Sequence, residues 1–260
     1  MKKQAFALAA LSLLSISAAY AEEAKPDWTL TGNAGLFSDY RFRGYTQTAY
    51  KPAFQGGFDL AHSSGFYVGN WNSNVEQALY RGASLEMDFY GGYKFNAGPV
   101  ALDAGAYYYY YPSSNHGFMN AAGKQAHQDE IYIGASYSFF TAKLSYGLSN
   151  FFGLGDATAT TPEVKTDGNY YLDLGFAYDL GQGYGINAHY GYQKVPHGKD
   201  AGLVANNASD YKLGMTKDFS GWVAGASLIS TSKKDWFTTG VSPTRGAGKT
   251  GLVLSLSKTF

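Results

Sequence analysis

The sequence predicts an all-β fold, a transmembrane antiparallel up-and-down barrel of twelve strands. Three observations carry that prediction. Segments of about ten residues alternate apolar with polar side chains, the period of a strand that crosses a bilayer at a tilt. The connections between them alternate strictly between long and short, with an even strand count and both chain ends on the short-turn side. The last segment, residues 250–260, sets Leu252, Leu254 and Leu256 against Val253, Ser255 and Ser257, then ends on Lys258 and the aromatic Phe260. Such a strand is suited to seal a cylinder, and sealing is required because lipid offers no partner to an open sheet edge.

Taken in order, residues 28–42 place Trp28, Leu30, Ala34, Leu36, Tyr40 and Phe42 on one face and Thr29, Thr31, Asn33, Asp39 and Arg41 on the other. Residues 53–61 set Phe54, Phe58 and Leu60 against Gln55 and Asp59. In the third segment, 66–74, two parities compete: Phe66 and Val68 against Tyr67 and Trp71. The fourth, 83–95, opposes Leu85, Met87, Phe89, Tyr93 and Phe95 to Glu86, Asp88 and Lys94. The fifth, 100–111, sets Val100, Leu102, Ala104, Tyr108 and Tyr110 against Asp103, Tyr107, Tyr109 and Tyr111.

Residues 128–139 turn Ile131, Ile133, Ala135, Tyr137 and Phe139 away from Glu130 and Tyr132, and 142–151 turn Leu144, Tyr146 and Leu148 away from Lys143 and Ser145. Residues 169–180 alternate Tyr170, Leu172, Leu174, Phe176, Tyr178 and Leu180 with Tyr171, Asp173 and Asp179. Residues 184–195 and 210–218 follow the same rule, with Asn187, His189, Gln193, Lys212 and Thr216 on the polar side. Residues 222–231 again leave the parity open. The long connections are 43–52, 75–82, 112–127, 152–168, 196–209 and 232–249; the short ones are 62–65, 96–99, 140–141, 181–183 and 219–221.

Residues 1–21 read as a removable secretory signal: Lys2 and Lys3, an apolar run from Ala5 to Ile16, and the small-residue site around Ala19 and Ala21. Residues 22–260 then form a single barrel domain. Without Lys2 and Lys3 the balance is 18 basic to 20 acidic residues, a net charge of −2, which speaks against nucleic-acid binding. An exported chain with no cysteine relies on neither disulfides nor thiolate metal sites. After the signal no apolar run is long enough for a membrane helix, and no 3.6-residue apolar period appears.

Alternation alone does not say which face points outward, and a soluble lipocalin-like barrel would turn its carboxylates to water. The loop sorting, the export signal and aromatics near strand ends favour a lipid-facing apolar wall. Trp28, Phe42, Tyr93, Phe95, Tyr108, Tyr110, Tyr178, Tyr184, Trp222 and Phe260 would form the interfacial girdles.

Several segments carry a family resemblance: Ser38-Asp39-Tyr40-Arg41-Phe42-Arg43-Gly44, Gln47, Pro52-Ala53-Phe54-Gln55-Gly56-Gly57-Phe58, and Gly65-Phe66-Tyr67-Val68-Gly69-Asn70-Trp71. Glu86-Met87-Asp88, Tyr109-Tyr110-Tyr111-Pro112 and Asp129-Glu130-Ile131-Tyr132 agree. Together these resemble the TorF-type family of proteobacterial outer-membrane porins, most densely before residue 151. Tyr45 and Asn72 stand where the family pattern leads one to expect smaller residues. The resemblance implies a pore in the bacterial outer membrane and leaves the solute open.

With the apolar faces toward lipid, the expected lumen-lining residues are Asp39, Arg41, Asp59, Glu86, Asp88, Lys94, Asp103, Tyr107, Tyr109, Glu130, Lys143, Asp173 and Asp179, with Lys212 and, at the outer rim, Arg43. Asp39, Arg41 and Arg43 on one face of the first strand, level with Glu86 and Asp88, are expected to make a charged constriction. The inward aromatics Phe37, Tyr90, Tyr107, Tyr109, Tyr111, Tyr132 and Tyr171 would suit small polar organic solutes by stacking, or serve simply as strand formers. Twelve strands fall between side-chain-filled and open barrels, so a narrow pore is expected. A lattice of ion pairs that only satisfies buried charge is the competing reading.

The expected activity is passive diffusion of small polar or ionic solutes. A plugged barrel with an adhesive or binding loop surface, and more remotely a hydrolase, are the alternatives. No catalytic, cofactor or metal residues are assigned. His189 has inward parity and no serine placed beside it, and His116, His127, Asp129, Glu130, His197 and Asp200 lack ligand spacing. Gly153-Leu154-Gly155-Asp156 lacks the lysine and context of a phosphate loop. Asn207-Ala208-Ser209 matches a glycosylation sequon of little meaning in a bacterial-looking chain. The expected partners are outer-membrane lipid and, through the strand ending in Phe260, the barrel-assembly machinery. Oligomerisation is left open.

Overall fold

The computed structural model describes residues 26–115 and 125–260; the expected signal segment and His116 lie outside them. Twelve antiparallel strands close into a barrel: β1 (Trp28–Phe37), β4 (Ala53–His62), β5 (Phe66–Asn74), β6 (Leu85–Ala97), β7 (Val100–Tyr110), β8 (His127–Tyr137), β9 (Phe140–Gly147), β10 (Tyr170–Gly181), β11 (Tyr184–Lys194), β12 (Asn207–Phe219), β13 (Trp222–Thr231) and β14 (Gly251–Thr259). Each pairs with its neighbours in sequence, and β1 pairs with β14 from Asn33↔Thr259 to Phe37↔Ser255. Gly32 and Phe260 then exchange backbone hydrogen bonds of 2.7 and 2.9 Å, completing the seal. The Phe260 ring lies over Gly32, 2.8 Å from where a Cβ would stand.

The two faces are inverted relative to a water-soluble barrel. Leu30, Leu213 and Phe54 are 67, 65 and 62 % exposed, whereas Gln55, Glu86, Gln128, Glu130 and Gln193 are buried. The parity of β5 is decided the same way: Phe66 and Val68 are exposed and Trp71 is buried inside. The turn between β8 and β9 falls at Ser138 and Phe139 rather than at 140–141, so Phe140 joins the strand and pairs with Tyr137. Ser138 takes the positive φ (56°) that this two-residue turn requires.

The largest correction concerns the first strand. It stops at Phe37, not at residue 42, and the chain folds into the barrel as a tiny hairpin of β2 (Arg41–Phe42) and β3 (Tyr45–Thr46). Arg43 (φ 47°) and Gly44 (φ 83°) make its turn. Two successive positive φ values give a tight primed turn, with glycine at the second position.

Because the barrel wall spends its apolar side chains outward, the buried hydrophobic cluster gathers in the long connections. Tyr45, Val75, Leu79, Tyr80, Tyr111, Phe151, Phe152, Leu154, Val195, Leu203, Trp236 and Phe237 pack together there. Large side chains of this kind contribute about 1.5–3 kcal/mol each when fully buried. A single tight turn, Phe151–Gly153, lies within this cap, with Phe152 at a positive φ of 49°.

Candidate functional site

The site is the interior of the barrel together with the hairpin that enters it. Arg43, at the hairpin tip, does not stand at the outer rim as expected. Its Nη2 donates to both Glu130 carboxylate oxygens at 2.7 Å and its Nη1 to Gln193 Oε1 at 2.6 Å. The guanidinium lies 4.7 Å from the Phe42 ring and 4.4 Å from the Tyr171 ring. Glu130 is on β8 and Gln193 on β11, so a loop that leaves β1 reaches across the lumen to the far wall. A planar cation held by a carboxylate, an amide and two rings is a strong anchor.

The rest of the hairpin is pinned by its own polar residues. Asp39 pairs with Arg41 and accepts from the Thr48 hydroxyl at 3.1 Å. Arg41 Nη1 also donates to the carbonyls of Gly44 and Lys249, both at 3.0 Å, tying the hairpin to the β13–β14 connection. Tyr40 donates to Glu86 Oε1 at 2.7 Å, and Tyr80 donates to Gln47 Oε1 at 2.9 Å. Phe42 belongs to no interfacial girdle; it packs inside, 5.5 Å from Tyr109 and 5.6 Å from Phe152. Asp39, Arg41 and Arg43 therefore do not share a strand face level with Glu86 and Asp88. The primed turn reverses the chain and carries Arg43 to Glu130 and Gln193, while Asp39 and Arg41 stay paired with each other.

Two unlike walls flank the hairpin. On β4–β8 carboxylates meet phenols: Tyr90 donates to Asp59 at 2.7 Å, and Tyr67 donates to Asp103 at 2.7 Å and contacts the Tyr132 hydroxyl. Tyr90 stacks on Tyr107 at 4.7 Å, and Tyr107 on Tyr109 at 5.3 Å. Glu86 and Asp88 are buried above them. On β10–β12, His189 sits between two carboxylates, with Nδ1 3.0 Å from Asp173 and Nε2 2.8 Å from Asp210. Tyr171 donates to the other Asp210 oxygen at 2.9 Å. Lys143, between the walls, lies 5.1 Å from the Tyr132 ring.

Two expected residues sit toward the short turns. Lys94 is exposed, its ammonium 4.5 Å from the Tyr67 ring. Asp179 is exposed at the rim and accepts from the Gly181 N–H at 2.8 Å, so it caps a turn. Asp210, Gln128 and Gln193 escaped the sequence reading as site residues. Asp210 has the same parity as Lys212, and that signal was masked by its place at the expected start of a strand. His127–Asp129 (3.9 Å) and His197–Asp200 (3.3 Å) are two separate pairs, and no group of three potential metal ligands occurs among the described residues.

Solved structures share this architecture. The NanC porin superposes with a TM-score of 0.55 at 9 % identity, over 89 % of this chain and 99 % of that one. The KdgM porin, also solved in complex with disordered oligogalacturonate, gives 0.51 at 8 % identity over the same shares. At such identity the likeness concerns the fold. No functionally curated protein matches the sequence. Over residues 21–260 the chain matches, and belongs to, the Gcw_chp family, described as bacterial protein of unknown function.

Proposed function

We propose that this chain is an outer-membrane, TorF-type porin through which small polar or ionic solutes diffuse passively, with the inserted hairpin as its constriction. The observation that carries the reading is the inverted barrel: apolar residues outside, a charged and hydroxylic interior within, and one arginine-tipped loop spanning that interior. The lining comprises Asp39, Arg41, Arg43, Asp59, Glu86, Asp88, Asp103, Tyr107, Tyr109, Glu130, Lys143 and Asp173, with Lys94 and Asp179 toward the short-turn mouth. Its carboxylates outnumber its cations, so small cations and zwitterions pass more readily than polyanions. The porin folds of NanC and KdgM support the architecture of this reading.

Purified barrel in a planar bilayer is expected to give discrete conductance steps, enlarged by Arg43→Ala and enlarged further when the hairpin is replaced by a short glycine–serine turn. A folded barrel that stays silent even without the hairpin sinks the channel reading. A second reading has its own support, since the long connections pack into one apolar cap. On that reading the loops bind a partner over a plugged barrel, and loop replacement abolishes binding without creating conductance. Deleting Phe260 is expected to leave the chain unassembled in outer-membrane fractions, consistent with recognition of the last strand by the assembly machinery.

A further inference from the structure

On the short-turn side of Arg43, the charges of the lumen divide into those the fold already engages and those it leaves open. Asp59 accepts from Tyr90, Asp103 from Tyr67, and Glu130 from Arg43. Asp210 has Tyr171 on one oxygen and His189 on the other. The ammonium groups of Lys143 and Lys212 depart from this pattern. Both face inward by strand parity, sharing a side with buried Ser145 on β9 and buried Asp210 on β12. Neither makes an ion pair or a hydrogen bond with the described residues. Lys143 lies 5.1 Å from the Tyr132 ring and 5.7 Å from the Tyr107 ring. An ammonium carries three donors and no acceptor, so each lysine presents open donors to the lumen.

The two lysines flank Asp173. Lys143 pairs with it across β9 and β10, His189 on β11 holds its Oδ1 at 3.0 Å, and Lys212 pairs with His189 across β11 and β12. Side chains directly opposite in a ladder have Cβ atoms about 5 Å apart. Positive, negative and positive groups therefore follow one another along the wall from β9 to β12. Asp173 Oδ2 accepts no hydrogen bond from the described residues. On the other side of Lys143 the wall is bare: Gly134 pairs with it, and a Cβ there would meet nothing nearer than 3.6 Å. By contrast, tyrosine side chains lie over Gly69, Gly105 and Gly191.

We propose that Lys143, Asp173 and Lys212 form a seat for small zwitterions of the α-amino acid class, with the carboxylate on a lysine and the ammonium on Asp173. A free carboxylate finds the lysines but faces Asp173. A free amine finds Asp173 but faces two lysines. A solute that carries both signs satisfies both kinds of group through charge-assisted hydrogen bonds. The inference rests on the channel reading and narrows its solutes to one class.

The probe is L-alanine, compared with its neutral isomer lactamide and with acetate and ethylamine, which each carry one of its charges. Titrated into the folded barrel in detergent micelles and followed by ligand-observed NMR, alanine is expected to bind at least about tenfold more tightly than any of the three, as a charged hydrogen bond provides. Equal binding of lactamide, acetate or ethylamine overturns the proposal, as does an absence of alanine binding. This comparison needs no substitution and stands whatever a variant does to folding. Combining Lys143→Gln with Lys212→Gln should weaken alanine at least about tenfold, whereas Lys199→Gln, on the exposed β11–β12 connection, should not. Asp173→Asn should weaken alanine and leave acetate no weaker; a parallel loss of both overturns the assignment of the ammonium to Asp173. Heat-modifiable migration reports that each variant is folded. Planar-bilayer recordings of the same preparations separate the two readings. Discrete steps in potassium chloride without a preference for alanine refute the seat and keep the channel, whereas a silent barrel that still prefers alanine keeps the seat and refutes the channel.

Discussion

The two ends of the cylinder are built on different principles. At the loop end, apolar side chains from the long connections form a packed cap, with Trp236 2 % and Tyr80 2 % exposed, and the Arg43 hairpin is locked beneath it. At the short-turn end, Lys94 and Asp179 are exposed and the connections are brief turns, glycine-containing except for Ser138–Phe139. The loop end behaves as the hydrophobic core of a soluble domain, held by burial and by desolvated ion pairs. The turn end is held by ladder hydrogen bonds and by exposed turn contacts such as Asp179 and Asp218 on the Gly181 and Gly221 N–H groups. Substitutions at the first should therefore act through stability and gating, and at the second only through the local field.

That contrast is broken or sharpened by experiments of decreasing size. Trp236→Ala empties the middle of the cap and is expected to cost about 3–5 kcal/mol. Thermal unfolding, and faster protease nicking near Lys233 and Lys234, would register it; an unaltered melt would mean that the cap is not a core. Glu130→Ala leaves the Arg43 charge buried without its carboxylate, a loss of about 3 kcal/mol in the hairpin's anchorage. Hydrogen exchange in residues 38–52 should accelerate and single-channel conductance should rise, with the barrel's own melting little changed.

Alkali supplies an intermediate perturbation. Burial pushes the Tyr40 and Tyr80 phenols well above their ordinary value, with the Glu86 carboxylate adding to the effect. The folded cap thus holds these protons more tightly than the unfolded chain. Its contribution is complete below about pH 10, the ordinary phenol value, and is lost as the pH rises beyond it. Phenolate absorbance followed against pH should show these tyrosines ionising together with cap opening, and independent early ionisation would contradict their burial.

Tyr40→Phe removes one buried hydrogen bond to Glu86, worth about 1–2 kcal/mol with a charge-capable acceptor, and should be visible as a modest rise in hairpin exchange. Asp179→Ala, at the other end, loses one exposed turn contact and should move the melting free energy by no more than about 0.5 kcal/mol. A large effect there would erase the distinction between the ends.

Much of the barrel was legible from period and punctuation. Residues such as Leu213, Leu254 and Ile133 declare an outward face through simple alternation, and the sorting of loops by length anticipates which end each turn occupies. Where alternation was equivocal, as between Phe66 and Tyr67, only the pairing of β5 with its neighbours decided the face. The first strand misled for a local reason: alternation continues through Tyr40, Arg41 and Phe42, and nothing in that run marks where the ladder ends. The break lies in the Arg43–Gly44 turn and in partners more than eighty residues away, Glu130 and Gln193, which no local pattern reports. The same holds for His189, whose two carboxylates come from adjacent strands.

The sequence by itself determined the strand period, which residues share the apolar face and the even count of strands, because these follow from side-chain alternation and from the sorting of loops by length. Only the tertiary structure decided what fills the cylinder: which charges meet, and that a loop rather than a wall narrows the lumen. Those choices depend on long-range contacts between side chains of ordinary local pattern, and their energies appear only once the barrel has brought opposite walls within reach.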